Sequence, residues 1–355
     1  MRKVKVEEAI GLAIAHDMTE VNVEKKIKQV AFRKRHIVRE SDVEKLKSLG
    51  RENIFVFDEH EDEVHEDEAA LIIAPLLAGE NIDYDKEPRE GKISFYAAID
   101  GLFKLDAEKI IAINRLAIPS LPTIHNNFVV KKGKQVAAFR IIPLTCKPDI
   151  VADCREILGR ETLAGVFAAD SPQKRSVLTI KPFINRKAAL IVTGNEVYSG
   201  RIEDKFTAIV EKKLAALGVE LVVKTILPDE PERIREKILQ FSQMGDFLLL
   251  TGGTSVDPDD ATKAAMRNAG VDLLQAGNPI QPGNNFTIGY LGGKAVCAIP
   301  AAALFFKITA FDTFLPRLVA NDPINADELA ALSVGGLCHF CETCRYPICP
   351  FGQSF

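Results

Sequence analysis

Between residues 187 and 322, short apolar runs alternate with longer amphipathic stretches, and this alternation limits the fold more than any other feature of the chain. Residues 188–192, 219–227, 246–250 and 295–299 read as strands. Residues 203–217, 232–244, 260–269 and 302–314 carry apolar side chains at helical spacing. Gly218 and Gly270 follow two of these helices as stop signals, and Pro228-Asp229-Glu230-Pro231 opens a third. Parallel strands need a long crossover, usually a helix, and a sheet connected that way is covered on both faces. The expectation is therefore a three-layer α/β domain with a mainly parallel sheet. Ligands of such sheets bind outside the carboxyl ends of the strands. Three polar loops leave those ends, at 193–196, at 251–260 and from Pro300 onward, and they are expected to converge.

The second loop reads Thr251-Gly252-Gly253-Thr254-Ser255-Val256-Asp257-Pro258-Asp259-Asp260. Gly252 and Gly253 let the backbone turn with its N–H groups bare. Thr254 and Ser255 add hydroxyl donors, and the helix opening near Asp260 points its positive end at the loop. This is a cradle for phosphate or another anion. It is not a Walker loop, because no Gly-Lys-Ser/Thr follows. Taken alone, the same residues also make an ordinary strand-to-helix turn, so the neighbouring loops carry the argument.

At 355 residues the chain is too long for one core. The divisions read from the sequence are an α+β segment over 1–57, a β-rich middle over 58–186, the α/β domain over 187–322 and a cysteine-rich tail over 323–355. A net charge of −4 favours no nucleic-acid partner. No apolar run approaches the ~20 residues of a membrane span. The opening Met1-Arg2-Lys3-Val4-Lys5 leads into no apolar signal core, so a cytoplasmic protein is expected. In the first segment, apolar spacing over 6–15 suggests a helix that ends at His16-Asp17. The acidic run 58–68, with His60 and His65, reads as a solvated linker feeding a helix over 69–77, where the dipole favours acids. Further on, Asp100-Gly101 and Lys131-Lys132-Gly133-Lys134 read as hairpin turns.

Of seven cysteines, Cys146, Cys154 and Cys297 sit in apolar surroundings and read as small core residues. The other four, Cys338, Cys341, Cys344 and Cys349, follow the Gly335-Gly336 pair in a C-x2-C-x2-C-x4-C run. An odd total with one tight cluster suits a reducing compartment and a metal more than a disulfide framework. The run is one residue longer in its last gap than the bacterial ferredoxin pattern, and structural zinc usually takes pairs separated by a longer loop. A [4Fe–4S] cluster and Zn²⁺ both stay open, and His339 is a candidate to replace one sulfur.

Three stretches in order carry a resemblance. Thr193-Gly194-Asn195-Glu196 with Gly200, Ile202 and Asp204, then Thr251-Gly252-Gly253-Thr254-Ser255 with Asp260-Ala261-Thr262, then Pro282-Gly283 with Ile299-Pro300, resemble the motifs of the molybdopterin-binding domain. That fold is shared by molybdopterin adenylyltransferases, molybdopterin molybdenumtransferases and competence-damage-type proteins. The likeness covers about residues 187–320, and the first 57 residues resemble pieces of the molybdenumtransferase linker domain. It implies a ligand: molybdopterin, a pterin with a dithiolene and a terminal phosphate, alone or adenylated. It also implies that Thr193, Gly194, Gly252, Gly253, Thr254, Ser255, Pro282, Gly283 and Pro300 line the site, with Glu196 and Asp260 acting through Mg²⁺.

The resemblance further implies molybdate as co-substrate, a homo-oligomer with clefts between subunits, and molybdenum cofactor synthesis with release of AMP. Two departures temper it. Ala301-Ala302-Ala303 stands where relatives carry Gly-Asn-Pro, and Asp100-Gly101-Leu102-Phe103 is a poor match for their Asp-Gly-Tyr-Ala. These favour the alternative of a non-catalytic protein that holds the cofactor for a partner molybdoenzyme. A nucleotide pyrophosphatase of the competence-damage type is a third reading.

Overall fold

In a computed structural model the protein is described over residues 1–22, 26–57, 63–159, 176–253, 261–275 and 277–353. The chain divides into two units. The first comprises Met1–Tyr96, Leu105–Thr123 and Gln135–Thr179, and the second Ala97–Lys104, Ile124–Lys134 and Ile180–Phe355.

In the first unit, Arg2–Lys5 pairs antiparallel with Asn53–Val56, and Met18–Asn22 with Ile27–Phe32. Val4, Val6, Ile14, Leu46 and Val56 meet in their shared core. The helix expected over 6–15 is a single 3-10 turn, Val6–Ala9, and Gly11 at φ +83° turns the chain away. The acidic run also behaves differently from expectation. Its helix starts earlier, at Glu66–Leu77, and its residues His65 and Glu66 are buried. His65 Nδ1 accepts the Asp67 N–H at 3.1 Å and lies 2.8 Å from the Lys34 ammonium. Nε2 therefore carries the hydrogen donated to the Ala15 carbonyl at 2.9 Å. Burial, then the Lys34 charge, lowers the His65 pKa and keeps the ring neutral. Burial likewise raises the Glu66 pKa, although Arg140 lies 3.3 Å away. Residues 58–62 of the run, with His60, lie outside the described residues.

Neither charged turn of the β-rich middle closes a hairpin. Ile93–Ala97 pairs with Gln135–Ile141, whereas Gly101–Leu105 pairs with Val129–Val130. Each turn passes the chain from one sheet to another. Asp100 holds the two turns together, accepting from Lys131 Nζ and from the Lys132 N–H, both at 2.8 Å. Helices Ala107–Asn114 and Pro148–Gly159 accompany the strands. Cys146, Cys154 and Cys297 are buried as expected, and burial pushes the Cys154 thiol up to about 12.

The second unit holds a six-stranded sheet, labelled here in chain order: β1 Lys187–Thr193, β2 Glu220–Leu227, β3 Phe247–Thr251, β4 Asp272–Leu273, β5 Thr287–Leu291 and β6 Lys294–Ile299. Its spatial order is β2-β1-β3-β6-β5-β4. The first four strands in that order are mutually parallel, and β5 and β4 add an antiparallel edge. Both faces of the central strands are buried, so alternate residues feed two cores. Ala188, Leu190 and Val192 of β1 join Phe247, Leu249, Cys297 and Ile299 on one face. Ala189 and Ile191 join Leu248, Leu250, Val296 and Ala298 on the other. Helices α1 Phe206–Ala215 and α4 Ala310–Val319 cover the first face through Val210, Leu214, Phe311 and Phe314. Helices α2 Pro231–Phe241 and α3 Ala261–Asn268 cover the second through Ile234, Ile238, Ala265 and Met266.

The helix expected over 302–314 is two helices. A one-turn helix, Ala302–Phe305, stops, and α4 starts afresh behind a capping box of Thr309 and Asp312. The tail also joins this unit: Phe351 is 2% exposed in the same core as Phe311. A buried ion cluster lies behind α4. Asp322 accepts from Arg317 Nε at 2.6 Å and Lys104 Nζ at 2.8 Å, and also pairs with Lys181. Arg317, Lys104 and Lys181 hold the Asp322 carboxyl far below the usual range against the cost of its burial.

Asp322→Asn removes the carboxylate shared by Lys104, Lys181 and Arg317, of which Arg317 keeps Glu328, and is expected to cost ~3–5 kcal/mol in urea unfolding at neutral pH. Because the folded pKa is depressed, this contribution is full above the unfolded pKa of about 4 and is lost as pH falls further. The stabilities of wild type and variant should approach each other below that pH.

Candidate functional site

The sheet order reverses beside β1: the chain leaves β1 for β2 on one side, and the connection from β2 then crosses back over β1 to β3 on the other. Such a reversal opens a crevice at the carboxyl ends of the strands. Val192 of β1 lies opposite Thr251 of β3, and Thr193 extends one residue further. Gly252 follows at φ +85°, and a Cβ there would stand 2.1 Å from the Thr193 carbonyl oxygen. Gly253 has φ +51°, and its Cβ would stand 2.8 Å from Thr262 Oγ1. Only glycine permits this approach.

Beneath the loop lies a set of buried hydroxyls. Thr193 Oγ1 donates to the Thr251 carbonyl at 3.1 Å and lies 3.1 Å from Thr262 Oγ1. Thr262 donates to the Gly252 carbonyl at 3.0 Å. Thr262 sits in the first turn of α3, so the helix start is pinned to both strand ends. The hydroxyl of Thr251 itself is buried and has no partner among the described residues.

The exit of β1 is braced on its other side. The Asn195 N–H donates to the Asp229 carboxylate at 3.0 Å, and the Asp229 N–H donates to the Asn195 side-chain oxygen at 3.2 Å. A one-turn helix, Asn195–Tyr198, then carries Glu196 with its side chain exposed. Its backbone oxygen accepts the N–H groups of Arg201 at 2.9 Å and Ile202 at 3.2 Å. Asp204 starts α1 by accepting the Phe206 and Thr207 N–H groups at 2.9 and 3.1 Å.

The third stretch arrives at the same edge, because β5 runs antiparallel to β6 with Thr287 opposite Ala298. Buried Asn278 shapes its approach: the side-chain amide donates to the Gly283 and Phe286 carbonyls at 3.0 and 2.9 Å and accepts the Ile280 N–H at 2.9 Å. Gly283 has φ +104°, and a Cβ would meet Ala310 N at 2.9 Å. The Pro282 carbonyl accepts that N–H at 3.0 Å. Pro300 opens the one-turn helix that ends at Phe305, which is 79% exposed.

Thr193, Gly194, Glu196, Gly252, Gly253, Pro282, Gly283 and Pro300 thus share one edge of the sheet. Thr254, Ser255 and Asp260 lie outside the described residues. Asn195, Asp229, Thr251 and Thr262 were not singled out as site residues from the sequence. Asp229 was read only as part of a helix start, and Thr262 only as part of a motif. No local signal pairs Asn195 with Asp229, since only the sheet order makes the two strand exits neighbours. Cys338, Cys341, Cys344 and Cys349 line one cavity of about 240 Å³ together with Pro282. Among the described residues, no three His, Cys, Asp or Glu side chains lie close enough to hold a metal ion. A larger cavity of about 420 Å³ lies between α1 and α4. The charged residues there already have partners, Lys213 with Asp312 and Arg317 with Glu328.

The fold is an α/β domain whose three polar stretches meet at the carboxyl ends of the parallel strands. Residues 189–319 match the family described as "Probable molybdopterin binding domain", a match over just over a third of the chain. Residues 3–58 match a domain of unknown function. Among curated proteins, one named as competence-damage inducible in Bacillus subtilis (strain 168) is 32% identical over 83 residues, 23% of this chain and 20% of that protein. A namesake in Streptococcus pyogenes is 34% identical over 80 residues, 22% of this chain and 19% of that protein. The chain therefore spans about a fifth of the length of these relatives. Solved structures that resemble it include the protein CinA from Thermoplasma acidophilum, at 20% identity over 34% of this chain and 90% of that one, with a TM-score of 0.31. The molybdopterin biosynthesis enzyme MoaB from Thermus thermophilus matches at 17% identity over 39% of this chain and 98% of that one, with a TM-score of 0.30.

Gly252→Ala should destabilise the unit by more than the ~1–2 kcal/mol of a left-handed backbone alone, since the Cβ also meets a carbonyl. Gly194→Ala, at φ +146° with its nearest atoms 3.8 Å away, carries only the backbone cost. Urea unfolding of the two variants separates close approach from conformation.

Proposed function

We propose that the edge formed by Thr193, Gly194, Gly252, Gly253, Pro282 and Gly283 binds molybdopterin, free or adenylated, as a step of molybdenum cofactor synthesis. The observation that carries this reading is the contact of Gly252 with Thr193 at the point where the strand order reverses, within residues that match the molybdopterin-binding family. The glycine loop and the start of α3 hold the phosphate, with Thr254 and Ser255 adding donors. Mg²⁺ suits such a site, since it takes one or two carboxylates and fills its shell with water and phosphate oxygens. Glu196, exposed at the end of β1, and Asp260 are the groups proposed to hold it. Held there, Mg²⁺ would supply charge neutralisation at the pyrophosphate, the chemistry that release of AMP on molybdate insertion needs. Asp229 and Asn195 position the Glu196 turn through their paired hydrogen bonds.

A second reading is favoured by the third loop. There Ala301-Ala302-Ala303 runs into a short helix that ends in exposed Phe305. In that reading the protein binds the cofactor without turnover and presents it to a partner molybdoenzyme.

Asp260→Asn and Glu196→Gln should each retain binding of adenylated molybdopterin and lose Mg²⁺-dependent AMP release in the presence of molybdate. Wild type that binds the adenylated pterin but releases no AMP identifies the delivery role. Wild type that binds neither form of molybdopterin sinks both readings.

A further inference from the structure

The tail has no helix or strand between residues 338 and 353, yet it is pinned at both ends. At its start, the Gln281 N–H donates to the Gly336 carbonyl and the Cys338 N–H donates to the Gln281 carbonyl, both at 2.8 Å. These bonds form a parallel bridge between Leu337 and Gln281, the residue before Pro282. At its far end, Phe351 is buried in the core, and the Tyr346 hydroxyl donates to the Asp312 carbonyl at 3.2 Å. All four cysteines fall between these anchors and face one cavity.

We propose that Cys338, Cys341, Cys344 and Cys349 form a four-thiolate centre for a thiophilic metal, Zn²⁺ or a [4Fe–4S] cluster, and that loading it fixes the Gln281-Pro282-Gly283 loop of the candidate site. Two features of the cavity suit that chemistry. The Phe340 N–H donates to Cys338 Sγ at 3.4 Å, with Phe340 at φ +50°. Amide-to-sulfur bonds of this kind stabilise metal-bound thiolates. Lys307 and Arg345 on the wall offset thiolate charge, while Phe306, Ile308 and Phe351 keep the wall apolar. The sulfurs do not yet converge, as no three candidate ligands lie within reach of one ion among the described residues. Drawing them together breaks no helix or strand ladder, because the segment has none. Each ligating thiol gives its proton to solvent. The loop responds because Cys338 is joined to it by backbone bonds and Pro282 forms part of the cavity wall.

The test uses the full chain purified without oxygen, and it does not depend on pterin binding. Expected are about one zinc per chain, or about four irons with matching sulfide and visible absorption. Cys344→Ser should lose most of the metal. Chelation of wild type should speed amide exchange at Cys338 and over residues 277–286 by about tenfold or more, with little change in β1 or β3. The chelation arm stands even if the variant fails to fold. Metal-free wild type whose four tail thiols are alkylated as fast in native buffer as in denaturant overturns the centre. Metal that comes and goes without altering exchange at residues 277–286 overturns its hold on the loop.

Discussion

The candidate site depends on β1 and β3 being parallel, adjacent and buried on both faces. Two-sided burial fixes the register, since a slip of one residue would exchange Leu190 and Ile191 between cores. With register fixed, Val192 lies opposite Thr251 and Thr193 extends one residue further, so the chain leaving β3 must pass over the Thr193 carbonyl. Glycine at 252 is the local answer to that geometry. The hydroxyls of Thr193 and Thr262 then tie the next helix to the same point.

The α/β domain was legible because its information is local. Apolar runs flanked by helical periodicity gave the four parallel strands, and loop polarity gave the convergence at their ends. What escaped notice depended on distant partners. Glu66 and His65 sit in a run that any composition argument assigns to solvent, and Arg140, Lys34 and Ala15 are what bury them. The turns at 100–101 and 131–134 look like hairpins, but the pairing partner of each strand lies elsewhere in the chain. The break between Ala302–Phe305 and α4 was written in the sequence, as Thr309 three residues before Asp312, without a glycine or proline to draw attention. At the site, the glycines and Thr193 were readable from type and position. The Asn195–Asp229 brace was not, because it joins two exits that only the sheet order makes neighbours.

The tail was set apart from the sequence by its cysteines and its paired glycines. Its packing follows from residues that carry no motif. Phe351 fills the core beside α4, and the backbone at Gly336 and Cys338 completes a bridge with Gln281. Cysteine spacing says what the segment can ligate; one aromatic ring and two peptide groups say where it rests.

Asp322 has a consequence for how the chain comes off the ribosome. Its partners Lys104 and Lys181 precede it by 218 and 141 residues, and both belong to the same unit as Arg317. Until residue 322 emerges, the strand bearing Lys104 has an ammonium with no anion to receive it. The second unit is therefore finished late, however early its first pieces are made. A fragment cut at the borders of the matched domain would keep Arg317 but leave out Asp322, Lys104 and Lys181. The borders of the matched domain and those of the compact unit around it are different lines on this chain.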